Sequence, residues 1–333
     1  MYLQTGALIA VSALSARAGS TRCAIIVVHV IRASRKCQRS TRRTRKRTAT
    51  SASPRRSASG PLPRSSNRWA GRDGLRRILE IGGRRAPFLR WSVLRMLLGM
   101  RSLNRNWQVG DGREQALADH VLAQARAGDL DDAIRVIDDF CATRSVMINV
   151  GDEKGEILDQ AVERSSPRLL LELGTYCGYS GLRIARVMPA DARLYSIEYS
   201  AANAEIARRI WTHAGVNDRL TVVEGTLGDG GATVDRLRSE FGFSQGALDF
   251  VFVDHDKSAY LPDLERILNE RWLHPGSVVV ADNVKFPGAP EYRAYLAAAE
   301  GESWRTIEHD THVEYQSLLK DLVLESEYLG GPA

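Results

Sequence analysis

After Trp107 the chain alternates between short, almost unbroken apolar runs and longer stretches with helical spacing, and this pattern constrains its fold more than any other feature. Apolar runs of five to seven residues separated by helices read as strands buried on both faces, the signature of a mainly parallel sheet. The predicted strands are Arg168–Glu172, Arg193–Glu198, Leu220–Glu224, Leu248–Asp254 and Ser277–Asp282, with terminal strands at Trp304–Glu308 and Tyr315–Leu324. Helices are expected at Arg113–Ala127, Asp129–Thr143, Glu156–Arg164, Ser180–Val187, Ala201–His213, Ala232–Glu240, Tyr260–Leu268 and Glu291–Ala299, with SVMINVGDEKG (145–155) as a loop. The expected fold class is α/β: a Rossmann-like, doubly wound, mostly parallel seven-stranded sheet with helices on both faces. No run of about 18 apolar residues exists, which excludes a membrane protein with several spans. Four scattered cysteines exclude a disulfide-built scaffold.

The net charge of +6 averages two unlike pieces. Residues 1–100 carry 22 Lys+Arg against two acids, a balance of +20, whereas residues 101–333 carry 24 against 38, a balance of −14. Between Ala33 and Arg77 the sequence is Arg, Ser, Thr, Gly and Pro with almost no aliphatic residues, so it cannot bury enough surface to offset chain entropy. Residues 1–85 are therefore expected to be a disordered basic extension. It can be read as an anionic-surface or nucleic-acid tether, as a targeting peptide, or as an extension without a folded role, which is the preferred reading. The apolar piece Ala24–Ile31 is too short to span a bilayer. Residues 86–106 read as an amphipathic helix and linker; APFLRWSVLRMLLGM (86–100) would rest on a membrane surface or pack on protein. Residues 107–330 would form the catalytic domain. A cytoplasmic protein is expected, in which 86–100 packs on protein or, as the less favoured alternative, rests on a membrane surface.

In open parallel sheets ligands bind beyond the carboxyl ends of the strands, and the polar motifs fall there. The first strand of the sheet runs into Glu172-Leu-Gly-Thr-Tyr-Cys-Gly-Tyr-Ser180, where Gly174 and Gly178 let the backbone approach a ligand. The second ends in Glu198, a carboxylate able to accept both hydroxyls of a ribose. The glycine spacing departs from the G-x-G-x-x-G pyrophosphate cradle and suits S-adenosylmethionine, although such a turn can also serve tight packing. Cys177, inside it, reads as packing.

The fourth strand ends in Asp254-His255-Asp256-Lys257 and the fifth in Asp282-Asn283. Asp254, Asp282 and Asn283 offer two carboxylates and an amide oxygen, a hard set that suits Mg²⁺. No His/Cys ligand cluster points to zinc. Asp254 and Asn283 could instead be helix caps.

NVGDEKG, LELGTYCGYSGLRIAR, VFVDHDK, YLPDLE, VVVADNV and VEY, in that order and spacing, resemble the catechol O-methyltransferase family from about Trp107 to Gly330. The resemblance implies Mg²⁺- and S-adenosylmethionine-dependent methylation of one hydroxyl of a catechol-like vicinal diol. It implies that Asp254, Asp282 and Asn283 hold the metal, that Lys257 is the general base, and that Glu314 orients the second hydroxyl. It places Val150, Gly174, Tyr176 and Ser180 at the methionine part of the cofactor. Glu198 and Tyr199 fall near the ribose, His255 beside the adenine, and Asp254 at the border of cofactor and metal.

Several positions depart from the family pattern. Tyr199 stands where Met is usual, and Val146 and Asp256 stand where animal members place Trp beside the acceptor. The apolar wall would then come from Met147, Ile148 and Pro287. Leu227 and Gly228 lack the side-chain donors usual near the adenine. Asp256 would disfavour acidic acceptors. The partner expected is a small aromatic diol. Alternatives are another small phenolic natural product or, less favoured given the charge of −14, a nucleic acid guided by the basic arm.

Overall fold

The computed structural model describes residues 108–312 and 320–331 and, as backbone only, 10–15 and 24–29. The chain divides into two compact units, residues 1–65 and 66–333. In the first, β1 (Ala10–Ser15) pairs antiparallel with β2 (Ala24–His29), Ala10 opposite His29 and Ser15 opposite Ala24. Ile25-Ile26-Val27-Val28 is a β-branched run, a composition that favours an extended, paired backbone. The Arg/Ser-rich stretch 33–77 and the expected amphipathic helix 86–100 lie outside the described residues.

In the second unit seven strands form one sheet of order β5-β4-β3-β6-β7-β9-β8. β3 (Leu169–Leu173), β4 (Arg193–Glu198), β5 (Leu220–Glu224), β6 (Leu248–Val253) and β7 (Leu273–Ala281) are parallel. β9 (Lys320–Tyr328) runs antiparallel to β7 and to the edge strand β8 (Trp304–His312). The expected mostly parallel, doubly wound sheet is present. Strand order reverses between β3 and β6, so a crevice opens at their carboxyl ends.

Alternate residues of each strand serve two cores. Leu170, Leu194, Phe250, Phe252 and Val280 face α1 (Arg113–Gln124), α2 (Leu130–Thr143), α3 (Gly151–Ser165), α4 (Tyr179–Val187) and α5 (Ala201–Ala214). Leu171, Leu173, Val251, Val253 and Val279 pack with α6 (Ala232–Phe241), α7 (Tyr260–Asn269) and α8 (Pro290–Ala298). Asp129 and Ser200 cap α2 and α5 through side-chain oxygens. Among the described residues no helix is long and apolar enough to cross a membrane.

Four boundaries move by four or more residues, among them the end of β8, at His312 and not Glu308. α3 starts at Gly151, not Glu156, because Asp152 and Glu153 suit the positive end of a helix. β7 begins at Leu273, before the expected Ser277. In β9 the described strand runs from Lys320 to Tyr328, past the expected end at Leu324, and its whole length pairs with β8.

Candidate active site

The carboxyl ends of β3, β4, β6 and β7 converge on two adjoining clusters. The first surrounds the turn after β3. Gly174 has φ 102° and its backbone lies so close to the Asp254 carbonyl that a Cβ would collide with it, so only glycine fits. Gly178, at φ 82°, accepts a hydrogen bond at its carbonyl from Trp211 Nε1, 2.8 Å. Tyr176, at φ 47°, turns its N–H onto Glu198 Oε2, 2.7 Å, while Ser200 N–H donates to Glu198 Oε1, 2.8 Å. Glu198 is buried, and that burial raises its pKa despite these donors. Beneath the turn Glu172 is fully buried and accepts bonds from Ser180 Oγ, 2.5 Å, and Ser196 Oγ. Burial pushes its pKa up to about 7, against the pull of the two hydroxyls.

Ser180 thus spends its hydroxyl on Glu172. Val150 is buried at the start of α3, and Tyr199 is 63% exposed. His255 stacks on Tyr260 at 5.2 Å and bonds Asp263 Oδ2 through Nε2, 2.8 Å; its Nδ1 is buried without a hydrogen-bond partner. Leu227 is buried, and Asp229 accepts the Thr233 N–H and hydroxyl at the start of α6.

Sequence reasoning missed the buttress provided by the segment at α1. Tyr176 donates its hydroxyl to Glu114 Oε1, 3.0 Å, and the same oxygen accepts Val109 N–H, 2.8 Å. Gln108 donates to Asn203 Oδ1, 3.1 Å, and Arg113 to the Val146 carbonyl, 2.5 Å. A buried acid in the first turn of an amphipathic helix was the one local signal.

The second cluster lies across the crevice. Asp254 N–H bonds the Leu173 carbonyl, 2.9 Å, and Asp282 N–H the Val253 carbonyl, 3.0 Å, so the two acids extend neighbouring strands. Lys257 Nζ donates to Asp254 Oδ1, 2.9 Å, and to the Tyr260 hydroxyl, 2.5 Å; that hydroxyl donates to the Asp282 carbonyl, 2.9 Å. Asn283 stands at φ 55° with its N–H on Asp282 Oδ1, 2.6 Å. Asp256 binds the Ser258 N–H and hydroxyl, 2.9 and 2.7 Å, and so caps the short turn Lys257–Ala259.

Lys154, from the stretch expected to be a loop, lies beneath these acids. It donates to Asp282 Oδ1 and Oδ2, 2.8 and 3.0 Å, and to Asp321 Oδ2, 3.0 Å. Asp321 also accepts Asn283 Nδ2, 2.7 Å, and Phe286 N–H, 2.9 Å. Burial works against ionisation of Asp321, but the Lys154 charge and these donors outweigh it and hold its pKa below the usual range.

Among the described residues no group of three or more His, Cys, Asp or Glu could hold a metal. The expected donors Asp254, Asp282 and Asn283 bring two carboxylates and one amide oxygen, a hard, all-oxygen set. Asp254 is partly exposed to the crevice, and the charge of Asp282 is balanced by Lys154, an arrangement compatible with a hard divalent ion. Glu314 lies outside the described residues. Met147, expected in the acceptor wall, is instead buried in the core with α1–α5, whereas Phe286 and Pro287 are exposed.

The O-methyltransferase family matches residues 134–314. The chain is 62% identical over 235 residues to a probable O-methyltransferase of Mycobacterium tuberculosis, covering 71% of this chain and 100% of the relative. It is 40% identical over 218 residues to catechol O-methyltransferase B of Danio rerio (66% and 80% covered) and 36% identical over 231 residues to catechol O-methyltransferase of Bos taurus (69% and 82%). A family match across more than half of its length, and a relative aligned from end to end, show that the chain belongs to the O-methyltransferase family.

Proposed function

We propose that the protein transfers a methyl group from S-adenosylmethionine to one hydroxyl of a catechol-like vicinal diol, with Mg²⁺ as metal cofactor. The observation that carries this reading is Lys257 Nζ seated between Asp254 and the Tyr260 hydroxyl, one strand from Asp282-Asn283. The catechol O-methyltransferase relatives support the choice of acceptor. S-adenosylmethionine supplies an activated methyl group on a sulfonium. Mg²⁺ held by Asp254, Asp282 and Asn283 would supply the Lewis-acid charge that makes a diol hydroxyl more acidic.

The rest is the work of this chain. Lys257 acts as the free amine, its own proton lost beforehand, so that Nζ accepts the hydroxyl proton; the Tyr260 hydroxyl and Asp254 hold that nitrogen toward the crevice. Glu198, held by two N–H groups, accepts the ribose hydroxyls, and the turn at 174–178 lines the methionine part together with Val150. Ser180 acts there through Glu172, setting the turn from beneath. His255 offers its stacked ring to the adenine, Tyr199 flanks the Glu198 carboxylate that takes the ribose, and Glu314 orients the second hydroxyl. Holding the reactants close to attack geometry can remove about 7–11 kcal/mol of barrier.

A wider phenolic acceptor range is the second reading, favoured by Val146 and the capping Asp256 at the two positions beside the acceptor. An acceptor panel with labelled methyl donor separates the two. Vicinal diols are expected to be methylated and their mono-O-methyl analogues to be inert; equal rates on both would favour the wider range.

A further inference from the structure

We infer that Lys154 and Asp321 form a positioning pair for the divalent-cation site, setting the Asp282 carboxylate and the Asn283 amide before a metal binds. The inference rests on the Mg²⁺ reading above and adds two residues to it. Lys154 and Asp321 come from α3 and β9, 167 positions apart, and both are at most 1% exposed, as is Asp282. An ammonium and two carboxylates removed from water are costly, and well-packed apolar side chains would fill the same space at least as stably. The arrangement therefore calls for a role other than stability.

The bonds point to that role. Lys154 grips both oxygens of Asp282, fixing the plane of that carboxylate, and Asn283 N–H adds a second donor to Oδ1. Asp321 takes Asn283 Nδ2, which fixes which edge of the amide carries the nitrogen and which the oxygen. Its other oxygen takes the Phe286 N–H and so pins the loop after β7. Without Lys154, the buried Asp282 and Asp321 carboxylates would lose the ammonium that both of them bind. Groups that orient metal ligands typically change metal affinity about 10–100-fold when removed.

The test uses the full-length chain, with Mn²⁺ as probe, its free concentration read by electron paramagnetic resonance. Lys154→Met alone strands two buried acids and will lose stability, so the deciding variant is Lys154→Met with Asp321→Leu, which removes both charges together. At a temperature where it is folded, this double variant should bind S-adenosylhomocysteine as the parent does, melt below the parent because Asp282 loses its buried ammonium, and bind Mn²⁺ about 10–100-fold more weakly. Mn²⁺ affinity within about twofold of the parent in the folded double variant would overturn the inference while leaving the metal reading intact. A parent that binds S-adenosylhomocysteine but no Mn²⁺ would overturn the metal reading and the inference with it.

Discussion

The two ends of the same sheet use acids in opposite ways. At the amino end Asp249 of β6 accepts the N–H groups of Arg168 and Leu169, 2.8 and 2.9 Å, and His274 Nε2, 2.9 Å, joining the starts of β3, β6 and β7. It is partly exposed; burial opposes its ionisation, but the N–H donors and His274 outweigh that and keep its pKa low. At the carboxyl end the acids are sunk into the protein, and burial wins for Glu172 and Glu198. One end is a clamp that remains charged without strain. The other holds Glu172 and Glu198 at a cost in stability, the kind of environment in which functional groups concentrate.

This contrast is open to direct attack, and the largest effect belongs to the carboxyl end. Lys257→Met should lower kcat by about 10²–10⁴-fold while leaving the melting temperature nearly unchanged. Initial rates beside thermal melts check this; a loss of activity that merely follows a loss of folding would remove Lys257 from the chemistry.

Glu172 comes next. Its native pKa of about 7, raised from an ordinary value near 4.5, means that the folded state keeps a proton the unfolded chain releases. Stability from this group is thus complete below about pH 4.5 and lost as pH rises through about 7, a total of about 3 kcal/mol. Glu172→Gln should flatten the fall in stability across that window in urea titrations, and an unchanged slope would show that Glu172 does not hold the proton.

At the amino end Asp249→Ala leaves two strand N–H groups and His274 without their acceptor. It should lower stability by about 1–3 kcal/mol with kcat per folded molecule unchanged. A selective loss of kcat would erase the distinction between the ends.

What could be read from the sequence follows the range of the interactions. The succession of strands and helices along the chain, the glycine turn, Glu198 and the acids ending β6 and β7 are local: each rests on period, turn chemistry or position within a few residues. The start of α3 was misplaced because Gly151 and Gly155 argued for a loop against the helix-favouring Asp152 and Glu153. Gly155 is there for a packing reason, since the Arg183 guanidinium lies directly against its α-carbon. The Lys154–Asp321 and Glu114–Tyr176 pairs join residues 167 and 62 positions apart, and no local pattern marks such partners.

The most direct measurement is methyl transfer from labelled S-adenosylmethionine to a vicinal diol, with the protein first stripped by EDTA and then resupplied with Mg²⁺. The account predicts that stripping abolishes transfer, that Mg²⁺ restores it, and that Asp254→Ala with Asp282→Ala cannot be restored. Transfer that continues undiminished after stripping, or in that double variant, would contradict it.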